Sequence, residues 1–262
     1  MTRFSWQLSL VSVLGIFMLS MTPGCTDSAD LTGSDVPVGQ PVETVSVEPP
    51  GTYQRNIRVP EVGRFRCSLH VSQSYRSDTP APLVLLLHFG YQGDQPDPFI
   101  GDSMIRLFKE AIEDCGGIAL APDVLGGTWI DGRNERAAVW LVRNVMSVYN
   151  IDSHRVVVAG FSMGGQGTWF IGSRHQDLFT GAVPIAARPA GSTSWTIPVC
   201  AVHSKADEVC PFTAAQQHID AVRASGAFVE FLTVDDYGHY EMARYAPQFA
   251  QALKTVFEHR PR

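Results

Sequence analysis

Apolar and polar positions follow two different patterns along the chain, and the change between them predicts the architecture. Residues 55–60 and 64–75 alternate apolar and polar side chains, which is typical of two antiparallel strands with one face in water. Later strands are predicted from short continuous apolar runs, as in the buried strands of a parallel sheet. These runs are 83–87, 117–122, 155–161, 182–187, 197–203 and 228–234.

Segments with helical periodicity separate these apolar runs. They are 97–114, 135–149, 166–174, 213–225 and 241–258. Strands that alternate with helices after two antiparallel leading strands predict an α/β fold. We expect a mostly parallel sheet of about eight strands with helices on both faces. No insertion between strands is long enough for a separate lid domain, so residues 53–262 are predicted to form one domain with an open cleft.

The first 52 residues have a different composition from the rest of the chain. Arg3 and the apolar run 8–19, followed by small residues, predict a secretory signal over residues 1–24. That run is too short for a comfortable membrane span. Residues 22–25 resemble a bacterial lipobox, although Thr22 and Pro23 are atypical. The resemblance implies that Cys25 is lipidated, becomes the mature N-terminus and anchors the protein to the cell envelope. Ordinary cleavage and release, secreted or periplasmic, is the alternative.

Residues 25–52 are rich in Ser, Thr, Asp, Gly and Pro and show no sustained apolar period. This composition predicts a flexible tether. The full chain of 262 residues is 45% apolar, which allows a sizeable core. The net charge of −6 argues against a nucleic-acid partner. No C-x-x-C or H-E-x-x-H spacing occurs, so we expect neither a metal nor another cofactor.

The most informative stretch of the chain is Gly160-Phe-Ser-Met-Gly164. It follows the apolar run 155–161 and precedes the helical segment 166–174, which is the context that the Gly-x-Ser-x-Gly motif requires. A serine at a sharp strand-to-helix turn has a strained backbone, and neighbours with side chains would collide there. The turn exposes the hydroxyl beside the N–H groups of a helix N-terminus. Ser162 is therefore predicted to be a nucleophile.

A serine hydroxyl needs a histidine as base, and the histidine needs a carboxylate to fix its tautomer. On this topology the acid and then the histidine should follow the serine, on loops at the carboxyl ends of strands. Asp207 lies on the loop after the run 197–203. His239 lies on the loop after the run 228–234. We predict that Ser162, His239 and Asp207 act together.

Other residues near these loops are weaker candidates. His88 and His203 each end a buried strand and remain alternatives as the base. Glu208 follows the predicted acid directly and is expected to point elsewhere. Asp235 and Asp236 are so near His239 in sequence that we expect them to cap the turn.

Acyl transfer also needs N–H donors aimed at the developing oxyanion. The N–H of Met163, directly after the nucleophile, is one predicted donor. The second should come from the loop after the run 83–87. We assign it to Gly90, with Tyr91 or Phe89 as alternatives.

Together these residues resemble the α/β-hydrolase superfamily, over residues 53–262. The segment 88–91 is similar to its His-Gly-x oxyanion segment, although Phe89 stands where glycine is usual. Three further segments resemble a compact secreted branch related to dienelactone hydrolases, feruloyl esterases and polyhydroxybutyrate depolymerases. They are 149–155, 160–169 and 179–187.

The resemblance implies a cofactor-free serine hydrolase that cleaves carboxylic esters, with Ser162, Asp207 and His239 as its triad. The substrate would be a small-molecule or polymer ester, and the lipid anchor would be the only contact with a membrane. A serine peptidase of the same fold is one alternative. A catalytically silent surface-binding protein is another, although such a protein has no use for a strained serine.

Two further expectations concern the surroundings of the site. Tyr91, Trp129 and Trp195 lie on loops after strands and could line a substrate subsite. Cys25 aside, four cysteines allow three pairings in an exported protein: Cys67, Cys115, Cys200 and Cys210. A Cys200–Cys210 disulfide would brace the loop that carries Asp207, and free buried thiols are the alternative.

Overall fold

A computed structural model describes residues 45–259, and eight strands in this range form a single sheet. The strands are β1 (Gly51–Val59), β2 (Gly63–Val71), β3 (Ala81–Leu87), β4 (Ile118–Pro122), β5 (Ile151–Phe161), β6 (Gly181–Ile185), β7 (Val199–Ser204) and β8 (Val229–Val234). Their order across the sheet is β1-β2-β4-β3-β5-β6-β7-β8. Strand β2 pairs antiparallel with β1 and β4, and all the other neighbouring strands are parallel. The predicted fold class is confirmed.

Five helices cover both faces of this sheet. They are α1 (Asp102–Asp114), α2 (Gly132–Val148), α3 (Met163–Arg174), α4 (Phe212–Ala224) and α5 (Ala246–Glu258), the last preceded by a 3-10 turn at Met242–Tyr245. Because side chains alternate across a strand, β3 contributes side chains to the hydrophobic core on each face of the sheet. Leu83, Leu85 and Leu87 belong to the core under α2, α3 and α4, whereas Val84 and Leu86 belong to the core under α1 and α5.

Helix α1 begins at Asp102, five residues later than the apolar period predicts. The preceding turn is held instead by the buried carboxylate of Asp123, which accepts the N–H groups of Phe99 (2.7 Å) and Gly101 (2.9 Å). A side chain from the loop after β4 thus replaces the first helical turn. The longest connection between elements of residues 45–259 is 88–101. It is too short to form a lid domain.

The last part of the predicted tether lies against the domain. The Tyr149 hydroxyl accepts the N–H of Glu48 (2.8 Å) and donates to the carbonyl of Ser46 (3.0 Å). The Glu48 carboxylate pairs with Arg55 of β1 at 2.8 Å. The signal peptide, Cys25 and the tether residues before 45 lie outside the described residues. Between residues 45 and 259, no helix has the length and apolar character needed to cross a bilayer.

The strands from β3 to β8 are mutually parallel, so their carboxyl ends meet at one edge of the sheet. Ser162 follows β5 directly, and β5 lies at the centre of the sheet. Asp207 follows β7 and His239 follows β8. The topology therefore gathers at one edge side chains that are up to 77 residues apart in sequence.

Candidate active site

Ser162 occupies a strained turn between β5 and α3. Its backbone angles, φ 56° and ψ −115°, lie in a region that residues with a side chain rarely adopt, and such strain costs about 1–3 kcal/mol. The flanking glycines are needed for close packing. A Cβ on Gly164 would overlap the carbonyl oxygen of Leu87, and one on Gly160 would overlap the carbonyl oxygen of Gly164. The start of α3 thus lies directly against the end of β3.

The structure joins the three predicted side chains in one hydrogen-bonded series. The Ser162 Oγ lies 2.8 Å from the Nε2 of His239. The Nδ1 of His239 lies 2.9 Å from Oδ2 and 3.1 Å from Oδ1 of Asp207. An ionised carboxylate can only accept hydrogen bonds, so Nδ1 carries the imidazole proton. Nε2 is then free to accept the hydroxyl proton of the serine.

The carboxylate of Asp207 is held by its own loop. Its Oδ1 accepts the backbone N–H groups of Val209 (2.9 Å) and Cys210 (2.7 Å). Burial raises the pKa of this carboxyl, but the hydrogen bonds from His239 and from the two N–H groups outweigh it, so the pKa lies below its usual value. Asp207 is therefore ionised throughout the neutral range.

Glu208 has a part that the sequence did not reveal. We expected this side chain to point away from the site, but its Oε2 accepts the backbone N–H of His239 at 3.0 Å. Neighbouring carboxylates thus hold one histidine twice, Asp207 at the ring and Glu208 at the backbone. Asp235 and Asp236 instead pair at the surface with Lys205 (2.7 Å) and Arg244 (3.0 Å).

The two alternative histidines have other hydrogen bonds. The Nδ1 of His88 donates to the carbonyl of Phe89 (2.6 Å), and its Nε2 accepts the N–H of Val124 (3.1 Å). Burial lowers the pKa of His88 to about 4, so the ring is neutral. The Nε2 of His203 donates to the carbonyl of Cys210 at 2.8 Å. Neither ring hydrogen-bonds to Ser162, whereas the Nε2 of His239 lies 2.8 Å from the Ser162 Oγ, so His239 is the histidine placed to take the serine proton.

The two predicted oxyanion donors lie on neighbouring segments. Met163 is the first residue of α3, so its N–H has no partner within the helix. Gly90 is exposed on the loop after β3, and a Cβ there would meet nothing within 4 Å. Because a trans peptide directs its C=O and N–H oppositely, the bond from His88 to the Phe89 carbonyl turns the N–H of Gly90 away from the His88 ring.

The prediction that two tryptophans line a subsite is wrong. Trp129 is fully buried, and its indole N–H donates to the carbonyl of His88 at 2.9 Å. Trp195 is 4% exposed and packs edge-on against Trp169 at 5.7 Å between ring centroids. Both loops turn their tryptophan inward, since a large aromatic ring gains more from burial than from contact with water.

Two tyrosines remain near the surface of the site. Tyr91 is half-buried, and its hydroxyl donates to the carbonyl of Gly127 at 3.2 Å. Tyr240 follows the histidine of the site, is 75% exposed, and has its ring centroid 5.4 Å from that of His239. Tyr240 is not among the residues predicted from the sequence. Its position directly after His239 was the available signal.

The sequence left open whether Cys200 and Cys210 form a disulfide or are free buried thiols, and the structure has free thiols at both, as at Cys67 and Cys115. Cys200 is the second residue of β7, whereas Cys210 lies beyond the carboxyl end of that strand. A strand rises about 3.3 Å per residue. The extended strand thus separates the two cysteines, and backbone hydrogen bonds rather than a disulfide hold the acid loop.

Three potential metal-ligand atoms come together at the site. One atom each of Asp207, Cys210 and His239 lie within 4.8 Å of one another. Burial, and then the charge of Asp207, raises the pKa of the Cys210 thiol, so this sulfur is protonated at neutral pH. The Asp207 carboxylate and the His239 Nδ1 already bond to each other. A carboxylate bonded to an imidazole N–H beside a protonated thiol is an arrangement suited to proton transfer.

Comparisons with known proteins agree on the fold. No protein-family model matches the chain. A Salmonella typhi protein that carries the name carboxymethylenebutenolidase, a dienelactone hydrolase, is 28% identical over an aligned length of 131 residues. The alignment covers 45% of this chain and 46% of that protein. The match therefore spans about half the length of the curated relatives.

Solved structures match a larger share of the chain. A thermostable esterase superposes with a TM-score of 0.67 at 22% identity, covering 79% of this chain and 62% of that one. A fluorophosphonate-binding serine hydrolase of Staphylococcus aureus superposes with a TM-score of 0.64 at 15% identity, covering 80% and 99%. Together with the sheet order, these neighbours show that the chain has the α/β-hydrolase fold.

Proposed function

We propose that this protein is a serine hydrolase that cleaves carboxylic esters through an acyl-enzyme on Ser162. The observation that carries the proposal is the series from Ser162 Oγ through His239 to Asp207, with hydrogen bonds of 2.8 Å and 2.9 Å. The strained backbone of Ser162 supports it, because strain of this kind is kept where function needs it. The thermostable esterase and the serine hydrolase among the structural neighbours are consistent with it.

In the acylation step, the Ser162 Oγ attacks the ester carbonyl carbon while the Nε2 of His239 takes the hydroxyl proton. The resulting imidazolium is stabilised by the ionised Asp207. The tetrahedral intermediate then breaks its bond to the alcohol oxygen, which receives the proton from Nε2. The alcohol leaves, and the acyl group remains as an ester of Ser162.

In the deacylation step, His239 activates a water molecule. The water oxygen attacks the acyl carbon, Nε2 takes its proton, and the carboxylic acid leaves as that proton returns to Ser162. In both steps negative charge develops on the carbonyl oxygen. The N–H groups of Met163 and Gly90 would stabilise this charge, each contributing about 10²–10³ in rate.

The decisive experiment is hydrolysis of p-nitrophenyl acetate and butyrate by the wild type and Ser162→Ala. The wild type should turn over both esters and should be labelled once by a fluorophosphonate probe, whereas Ser162→Ala should do neither. Ser147→Ala is the matched control because Ser147 is exposed on α2, remote from the loops that carry the site. Equal rates for the wild type and Ser162→Ala would refute the proposal.

Ester rather than peptide cleavage rests on the open access to the site, because no connection within residues 45–259 is long enough to restrict it. A panel of feruloyl, acetyl-xylan, polyester and peptide substrates separates the alternatives. Turnover of the peptide alone would replace the esterase with a serine peptidase. Saturable binding of a polymer without turnover would replace it with a surface-binding protein.

We also propose that the protein is exported and lipid-anchored through Cys25. The charged start, the apolar run 8–19 and the lipobox-like residues 22–25 support this. Radiolabelled palmitate fed to the host should label the wild type and not Cys25→Ala. Absence of label from the wild type, with the protein in the medium or periplasm, would refute the anchor.

A further inference from the structure

Asp207 faces two histidines. Its Oδ2 lies 2.9 Å from the Nδ1 of His239 and 3.4 Å from the Nε2 of His203. The side chain of His203, at the carboxyl end of β7, is 2% exposed. The proposed proton-transfer series gives this second histidine no part.

The proton of His203 can be placed from its neighbours. Its Nε2 lies 2.8 Å from the carbonyl oxygen of Cys210, and a carbonyl can only accept a hydrogen bond, so Nε2 carries hydrogen. The N–H of the same Cys210 donates to Oδ1 of Asp207 at 2.7 Å. His203 thus holds Cys210 from its carbonyl side, while Cys210 holds the carboxylate from its N–H side.

We infer that His203 is a positioning residue for the proposed reaction: its Nε2–H fixes the loop 207–210 so that the Asp207 carboxylate is aimed at His239. The inference rests on the proposed function and assigns His203 a part in it. Outer partners of this kind determine how well the groups that react are oriented. His203 itself neither contacts the substrate nor transfers a proton.

The electrostatic surroundings are consistent with a neutral donor at this position. The titratable groups that act on His203 are Asp207 and His239, and its contact with Cys210 is to the backbone carbonyl. Burial lowers the pKa of His203, against the opposing effects of the Cys210 carbonyl and the Asp207 charge. A neutral ring leaves the charge of Asp207 to stabilise the imidazolium of His239. A positively charged His203 ring would repel the imidazolium of His239.

The test compares His203→Gln, whose amide keeps an N–H near the position of Nε2, with His203→Leu, which removes the donor at similar volume. With p-nitrophenyl acetate, we expect His203→Leu to lower kcat by roughly 10- to 100-fold at unchanged KM, less than the about 10⁴-fold loss expected for removing the acid itself. Because a misaimed carboxylate stabilises the imidazolium less, the acid limb of kcat/KM should move to lower pH. His203→Gln should restore most of the rate and the profile.

A second readout does not depend on turnover. The proton between His239 Nδ1 and Asp207 should give a downfield resonance in the proton NMR spectrum of the substrate-free enzyme. We expect it in the wild type and His203→Gln, and expect it shifted or lost in His203→Leu. His218→Leu is the control, because His218 is a half-buried histidine on α4 that packs against Trp169.

The outcomes are distinct. If His203→Leu keeps the resonance and the pH profile, and loses activity only in proportion to its folded fraction in thermal unfolding, His203 is merely structural and the inference is overturned. An equal change of resonance and profile in His218→Leu would overturn it as well. If the wild type has the resonance but hydrolyses no ester, the proposed function fails. Loss or shift of the resonance in His203→Leu would then still support the positioning of Asp207 by His203, and an unchanged resonance would overturn it.

Discussion

The two halves of the candidate site differ in how their hydrogen bonds are used. In the half built on β7 and β8, the carboxylate of Asp207 is bonded to both its loop and the His239 ring, and His239 is also held at its backbone by Glu208. In the half built on the loop after β3, the exposed Gly90 carries an N–H that no other residue in 45–259 engages. The proton-transfer half is closed and complete, and the half that would receive the oxyanion is open.

This difference has a physical reason. Groups that move a proton must be aligned before the substrate arrives, because alignment during the reaction would add to the barrier. Oxyanion donors, by contrast, need free N–H groups, since a donor that is already bonded must first give up its partner. Variants of the closed half should therefore lower kcat at nearly constant KM. Variants of the open half should lower kcat only by the factor that one oxyanion donor contributes.

The largest effect is expected from Asp207→Asn in the closed half. The amide cannot hold His239 in the tautomer whose Nε2 accepts the serine proton, so kcat should fall by about 10⁴-fold with KM nearly unchanged. Steady-state kinetics with p-nitrophenyl butyrate measures this. Asp236→Asn, at a surface ion pair with Arg244, is the control and should keep the wild-type rate.

The next effect concerns the open half and depends on Gly90. Gly90→Pro removes the backbone N–H and should lower kcat about 10²–10³-fold. Gly90→Ala keeps the N–H and places a methyl group where nothing lies within 4 Å, so its rate should stay close to wild type. Equal losses of kcat in Gly90→Pro and Gly90→Ala would show that the backbone conformation at Gly90, and not its N–H, is what matters. A larger loss in Phe89→Pro than in Gly90→Pro would assign the donor to Phe89.

The third prediction uses pH and His88, which supports the open half. Its pKa lies at about 4 in the folded protein, below the usual 6.5, because the ring is buried. The unfolded chain binds this proton more readily, so the free energy of unfolding should fall as pH drops from 6.5 towards 4, by about 2–3 kcal/mol from His88.

Urea unfolding at pH 7.5 and pH 5 measures this stability difference. His88→Gln should show a smaller loss between the two pH values than the wild type does. His154→Gln, at an exposed histidine, should lose as much as the wild type. An undiminished loss in His88→Gln would mean that His88 is not the group responsible.

The smallest effect is expected from the outer support of the closed half. Glu208→Ala removes the acceptor of the His239 N–H and should lower kcat roughly fivefold, which corresponds to a hydrogen bond worth about 1 kcal/mol. Glu208→Gln keeps an oxygen acceptor and should lose less. Kinetics at saturating p-nitrophenyl acetate distinguishes the two, and equal rates in both variants would assign the effect to charge.

Much of this molecule was predictable because the physics involved is local. Continuous apolar runs indicate strands that are buried on both faces. The glycines around Ser162 indicate a turn that has no room for side chains. The order of serine, acid and histidine follows from which strands have their carboxyl ends at the same edge. For these features, position in the sequence already indicates position in space.

What the sequence left open or predicted wrongly depends on the direction that a loop takes in three dimensions. Trp129 and Trp195 lie on loops after strands, but only packing decides that their rings turn into the core. Cys200 and Cys210 are close in sequence, but β7 runs between them as an extended segment. Glu208 and His203 carry no motif of their own, so their positions beside His239 and Asp207 appear only once the loops are folded.

The sequence by itself determined the α/β architecture, the serine turn and the loops that hold Asp207 and His239. These depend on apolar periodicity, on glycine sterics and on chain order, which are properties of residues and their near neighbours. The tertiary structure alone decided which side chains support the proposed triad, which aromatic rings are buried and which N–H groups stay free. Those outcomes depend on contacts between residues distant in sequence, where a rotation of one loop changes the partner of every polar atom.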